Sequence, residues 1–170
     1  MISDFKHLNN NINNIYSLFI KNKETLSVAE SLTGGLLSHL LSAKPGSSAF
    51  FLGSVVAYSY SAKDTFLSVS KSLLEKDGAV NKNICLLMAQ GIKEKLNSTW
   101  SISTTGVAGP GKKAKDPSIG TVFVGVLGPN TKKVKRLSLK EKNREDIQHQ
   151  SCIFALDFLY SCITMSKQKF

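Results

Sequence analysis

The chain has 170 residues, 22 Lys and Arg against 12 Asp and Glu, a formal net charge of +10 and three cysteines. That length suits one domain with its own apolar core, and no run approaches the roughly 20 apolar residues of a membrane span. Cys85, Cys152 and Cys162 are odd in number, share no metal-ligand spacing and sit in apolar segments, so they read as buried thiols of a reducing compartment rather than disulfide partners or a zinc site.

The N-terminal residues carry Asp4, Lys6 and several Asn before any apolar run, unlike a signal peptide, and a cytoplasmic protein is expected. The lysines are scattered, with denser groups at Lys112, Lys113 and Lys115 and from Lys132 to Lys142, and no aromatic residues are interleaved for stacking bases. A solvated basic surface is therefore expected in preference to a nucleic-acid track, while the charge still suits phosphate-bearing ligands.

In chain order, Phe5, Leu8, Ile12, Ile15, Leu18 and Phe19 recur at three- and four-residue spacing and predict an amphipathic helix ending near Asn22. Thr25 to Ala29 predicts a short strand ending at Glu30. Ser31-Leu32-Thr33-Gly34-Gly35 follows as a tight turn, and Leu36 to Leu41 as a helix that Lys44-Pro45-Gly46 stops. A second strand is expected over Phe50 to Tyr58. Ser61-Ala62-Lys63-Asp64 opens a turn or short helix, and Lys71 to Glu75 another. Asn81 is a candidate cap for a helix whose buried face is Ile84, Leu87, Met88, Gly91, Ile92 and Leu96.

Trp100 to Thr104 predicts a third strand running into the small-residue loop Thr105-Gly106-Val107-Ala108-Gly109-Pro110-Gly111. Ile119 to Leu127 and Val134 to Leu139 predict two strands joined at Gly128-Pro129-Asn130, and a last helix runs from Asp146 onward. Strand–helix crossovers with a late hairpin imply an α/β fold, a three-layer α/β/α sandwich with a mixed sheet, as a single domain over residues 1–165 followed by a tail, 166–170.

Ligands of open α/β sheets gather beyond the carboxyl ends of strands, which points to three loops: Glu30–Gly35, Tyr58–Lys63 and Thr105–Gly111. The first places Ser31 where a strand ends and Gly34-Gly35 where a helix starts, the arrangement of a nucleophile beside backbone N–H groups free to meet an anionic oxygen. The same pattern also fits a serine or threonine that only caps the helix. The second loop supplies Tyr58 and Lys63. A lysine in a poorly solvated cleft loses proton affinity and can act as base toward a serine, though a surface lysine and a buried strand aromatic fit the pattern too. The third loop can cradle a phosphate or ribose, or be a plain turn, and it lacks the Gly-Lys-Ser/Thr ending of a nucleoside-triphosphate loop. His7, His39 and His149 have no cysteine or carboxylate pattern around them, so neither a metal site nor a His-driven triad is expected.

These elements occur together in one recognisable order. Ala29-Glu30-Ser31-Leu32-Thr33-Gly34-Gly35, Gly53, Ala57-Tyr58-Ser59, Ala62-Lys63, Gly78-Ala79-Val80, Met88-Ala89-Gln90-Gly91, Thr105-Gly106-Val107-Ala108-Gly109-Pro110, Pro117 and Gly120-Thr121-Val122 resemble the CinA C-terminal domain, or nicotinamide-nucleotide amidase, family from about Leu8 to Leu159. The resemblance implies hydrolysis of the carboxamide of nicotinamide mononucleotide to nicotinic acid mononucleotide and ammonia, without a metal or other cofactor, by a homo-oligomer. It implies Ser31 as nucleophile, Lys63 as base and Tyr58 as an assisting hydroxyl. Thr33, Gly34 and Gly35 would shape the oxyanion side, Thr105, Gly106 and Ala108 would line the nucleotide pocket, and Glu30 would hold its neighbours by hydrogen bonds. The family commonly has Cys at Leu32, Ser at Asn81, a glycine pair at Lys112-Lys113 and a second arginine at Gln148, four residues after Arg144. If both arginines hold the substrate phosphate, Arg144 is left to do so here with Lys112 or Lys113 in compensation. The departures keep open a nucleotide-binding member with weakened catalysis, and the positive charge with the resembled family's link to DNA uptake keeps open an accessory protein associated with DNA uptake or damage.

Overall fold

The computed structural model describes residues 2–112, 114–140 and 143–167, with side chains from Leu8 onward. The elements follow as α1 (Ile2–Asn22), β1 (Leu26–Glu30), α2 (Leu36–Ser42), β2 (Phe51–Val56), α3 (Tyr60–Leu67), α4 (Lys71–Asp77), α5 (Lys82–Leu96), β3 (Trp100–Gly106), β4 (Thr121–Gly128), β5 (Thr131–Ser138) and α6 (Arg144–Lys167). The five strands form one mixed sheet in the order β2-β1-β3-β4-β5, with β2 and β3 parallel to β1 and the β4–β5 hairpin antiparallel. This is the expected three-layer sandwich.

Alternation along the strands builds the layers. Leu26 and Val28 of β1, Trp100 and Ile102 of β3, and Val122, Val124 and Val126 of β4 share one core with α1, α2 and α6. The opposite face carries Ser27, Ala29, Ser101, Ser103 and Gly125, and their small size lets α5 approach closely. Ser101 donates to the Ala89 carbonyl at 2.7 Å and Ser103 to the Cys85 carbonyl at 2.6 Å, so the buried hydroxyls are satisfied by the helix itself. At Gly125 a Cβ would stand 2.9 Å from the Ser103 hydroxyl and 3.2 Å from the Cys85 sulfur, so a side chain there would displace Ser103 or push α5 outward.

Several boundaries differ from the sequence expectation. β3 continues through Thr105 and Gly106, which therefore belong to the sheet, because their register with β4 persists to Gly106 opposite Val122. β5 begins at Thr131, three residues early. Its Lys132, Lys133, Lys135 and Arg136 lie on the sheet edge, where charge replaces the apolar signal of a strand. α3 is a full eight-residue helix, capped by the Ser59 hydroxyl accepting from the Ala62 N–H at 3.0 Å. α6 takes in Ser166 and Lys167, assigned above to the tail, and Lys167 reaches Glu24 at 2.7 Å; residues 168–170 lie outside the described residues.

Candidate active site

Glu30 ends β1 and turns its carboxylate into the α2 layer, wholly out of solvent. There it accepts from the N–H groups of Gly35 (3.0 Å), Leu37 (3.2 Å) and Ser38 (2.8 Å) and from the Ser38 hydroxyl. An acid with four donors at a helix N-terminus is the arrangement that the unpaired N–H groups of a first turn favour. It corrects the expectation of free N–H groups in this turn: the Gly35 N–H is committed to Glu30, and the Gly34 N–H to the Ser31 carbonyl at 3.3 Å. Thr33 is likewise turned inward, its hydroxyl paired with that of Thr104 at 2.7 Å. Glu30, Thr33, Gly34 and Gly35 thus shape the turn from behind, and the left-handed φ of +62° and +103° at the two glycines is what the turn requires of them.

Ser31 faces the other way. The Lys63 Nζ donates to its hydroxyl at 2.9 Å and to the Ala57 carbonyl at 2.6 Å, with Lys63 only 1% exposed. Two features of α3 deliver this lysine to the interior. Lys63 and Leu67 stand four residues apart on the face turned inward. The end of α3 then rests on α5 at Gly91, where a Cβ would come within 2.0 Å of the Leu67 carbonyl oxygen.

Both side chains line an open cleft of about 290 Å³, together with Tyr58, Thr105, Gly106, Ala108 and Arg144. The Thr105 hydroxyl donates to the Ala79 carbonyl at 2.8 Å, tying β3 to the segment before α5. At Gly106 a Cβ would lie 2.7 Å from the Thr121 carbonyl and 3.0 Å from Leu32, so only glycine lets the cleft floor pass beneath Ser31's neighbour. Tyr58 is 59% exposed at the rim, and its hydroxyl accepts from the Arg144 guanidinium, which also donates to the Gly109 carbonyl at 2.9 Å. Arg144 opens α6 directly after Asn143, whose side chain accepts from the Asp146 N–H at 2.8 Å.

Tyr60, Val80, Lys112 and Asp116 also line the cleft. Of these Lys112 is marked as a candidate by the sequence and Val80 only as part of the Gly78-Ala79-Val80 string; Tyr60 was detectable as the residue one helical turn before Lys63. Lys113 lies outside the described residues. Gln148 donates to the Leu32 carbonyl at 2.7 Å, a contact between positions 116 residues apart that no local pattern announces. The three cysteines are buried and free. Burial pushes the Cys85 thiol up to about 12 and raises Cys152 and Cys162 as well, so these sulfurs stay protonated and poorly nucleophilic. Among the described residues, no group of three or more His, Cys, Asp or Glu is placed to hold a metal ion.

Comparison with known families matches residues 9–163 to the CinA C-terminal domain. The chain belongs to the CinA C-terminal domain family. A CinA-like protein of Prochlorococcus marinus subsp. pastoris is 41% identical over 152 residues, 88% of this chain and 35% of the relative. One of Fervidobacterium nodosum is 42% identical over 145 residues, covering 85% and 35%. This CinA-type chain therefore spans about a third of the length of these curated relatives. Among solved structures, the competence damage-inducible protein A of Klebsiella pneumoniae superposes with a TM-score of 0.88 at 25% identity, over 92% of this chain and 97% of that one. The CinA superfamily protein of Escherichia coli gives 0.85 at 28% identity, over 89% and 88%. No helix among the described residues is long and apolar enough to cross a membrane.

Proposed function

We propose that this CinA-type domain is a metal-independent amidohydrolase that deamidates nicotinamide mononucleotide, with Ser31 as nucleophile and Lys63 as base. The observation that carries the reading is the Lys63 amine, removed from water and 2.9 Å from the Ser31 hydroxyl at a cleft wall. Removal from water favours the neutral amine over the ammonium. A neutral amine can give an N–H to the Ala57 carbonyl and take the serine proton on its lone pair.

On this mechanism Lys63 takes the Ser31 proton as the oxygen attacks the carboxamide carbon, giving a tetrahedral adduct. The Leu32 N–H, next in the chain and on the cleft wall, is our candidate donor to its oxyanion, since the Gly34 and Gly35 N–H groups are engaged. Lys63 returns the proton to the leaving nitrogen, the C–N bond breaks, and ammonia departs from an ester on Ser31. Water, deprotonated by the same lysine, cleaves the ester to the carboxylate and restores the serine. The substrate class follows from the resemblance and from the cleft. Its volume suits a small molecule, and Arg144 and Lys112 offer positive charge to a phosphate while Thr105, Gly106 and Ala108 form the wall beside it. Tyr58 would act at the rim through its bond to Arg144. The free, buried thiols agree with a cytoplasmic setting.

The test is ammonia release from nicotinamide mononucleotide by the purified chain: Ser31→Ala and Lys63→Ala each lower kcat/KM at least about 100-fold. Normal turnover by Ser31→Ala excludes the reading. One observation favours a second reading, binding without turnover: Gln148 is engaged by Leu32, which leaves Arg144 as the arginine of the cleft wall. A thermal shift with the nucleotide and no ammonia release would select it.

A further inference from the structure

Gln148 stands one turn into α6 and is half-buried. Its Nε2 donates to the carbonyl of Leu32, the residue directly after Ser31, and a Cβ built on Gly34 would come 3.8 Å from that nitrogen. The turn that carries Ser31 is thus held from three sides. Glu30 accepts from the N–H groups of Gly35, Leu37 and Ser38, Thr33 is paired to Thr104 on β3, and Gln148 holds the peptide linking Leu32 to Thr33. The turn's own closing bond, from the Gly34 N–H to the Ser31 carbonyl, is long at 3.3 Å, so the geometry at the serine depends on outside partners. Leu32 is 4% exposed, and without Gln148 its carbonyl would lose a partner in surroundings with little water.

We propose that Gln148 is a positioning residue: by fixing the Leu32 carbonyl it sets the rotation of the Ser31–Leu32 segment and so the aim of the Ser31 hydroxyl between Lys63 and the substrate. This rests on Ser31 being the nucleophile. A glutamine in place of an arginine also leaves one arginine fewer to hold a substrate phosphate, which would weaken binding instead. The two accounts separate cleanly. A positioning residue acts on kcat and on the reactivity of the serine toward any electrophile; a phosphate ligand acts on KM for phosphorylated substrates.

The experiment measures two rates on the full chain, ammonia release from nicotinamide mononucleotide and labelling of Ser31 by a fluorophosphonate probe. Gln148→Leu and Gln148→Glu both remove the donor, the second at nearly constant shape, so one remains usable if the other fails to fold. Each is expected to lower kcat and the labelling rate on the order of 10-fold with KM changed less than about 2-fold, as misplacement of a reacting group does. Gln148→Lys, which keeps an N–H donor, recovers most of both rates. Wild-type kcat and labelling in the Leu and Glu variants overturn the proposal, as does a rise in KM with kcat and labelling intact. If Ser31→Ala abolishes turnover and labelling while the Gln148 variants match wild type, only the positioning role fails. If Ser31→Ala turns over normally, the nucleophile assignment falls and this proposal with it.

Discussion

Glu30 and Lys63 are both ionisable and both shut away from solvent, on opposite sides of the turn that follows β1, yet their surroundings differ in kind. The Glu30 carboxylate lies among the first N–H groups of α2 and the Ser38 hydroxyl, donors of one short helix that reach it through a few residues of chain. The contacts of Lys63 include a hydroxyl 32 residues away and a carbonyl 6 residues away, at the wall of an open cleft. A buried charge surrounded by local donors stabilises structure; a buried amine laid against a hydroxyl in a cleft can exchange a proton with it. The comparison assigns the α2 side of the turn to architecture and, on the proposed mechanism, the α3 side to chemistry.

The largest effect that would break this division comes from Lys63→Met, which keeps the length and removes the amine. Turnover is expected to fall at least about 100-fold while the chain still folds cooperatively, at a cost of about 1–3 kcal/mol for the Ala57 carbonyl that loses its donor. Parallel collapse of the denaturation midpoint would make Lys63 a structural residue. Glu30→Gln should show the reverse pattern. One carboxylate oxygen becomes an NH₂ facing N–H donors, at a cost of about 2–4 kcal/mol by denaturant titration, while kcat per folded molecule falls less than about 10-fold. An unchanged midpoint would dissolve the contrast from the other side.

The smallest effect sharpens the picture of the α5 face. Cys85 is raised from its ordinary value of 9.0 to about 12, chiefly by burial, with bonds to Ser103 and Gly125 opposing. The unfolded chain gives up this proton near pH 9 and the folded chain keeps it. Stability is therefore indifferent to this group below pH 9 and falls as pH rises from 9 toward 12, by about 1 kcal/mol at pH 10. Cys85→Ala should flatten that part of the alkaline slope in urea midpoints measured from pH 8 to 10.5. An unaltered slope would show that the thiol reaches water more readily than its packing against Ser103 implies.

The pattern of the chain determined the elements and their order, because strand and helix periods, Asn81 as a cap and glycine or proline breaks all act within a few residues. It also marked Ser31, Lys63 and the Thr105–Gly111 segment as places where chemistry could lie, each tied to the end of a strand or the start of a helix. Tertiary structure alone decided how those places relate. Ser31 meets Lys63 only because α3 docks on α5 at Gly91 and carries the lysine inward. The N–H of Gly35 is engaged because Glu30 folds back beneath α2, and β5 starts at Thr131, ahead of its apolar run, because β4 pairs with Thr131, Lys132 and Lys133. Gln148 reaches Leu32 across 116 residues of sequence. Periodicity reports which face of an element is apolar, whereas the pairing of one polar atom with another depends on how the elements pack, and that packing is settled by the whole core.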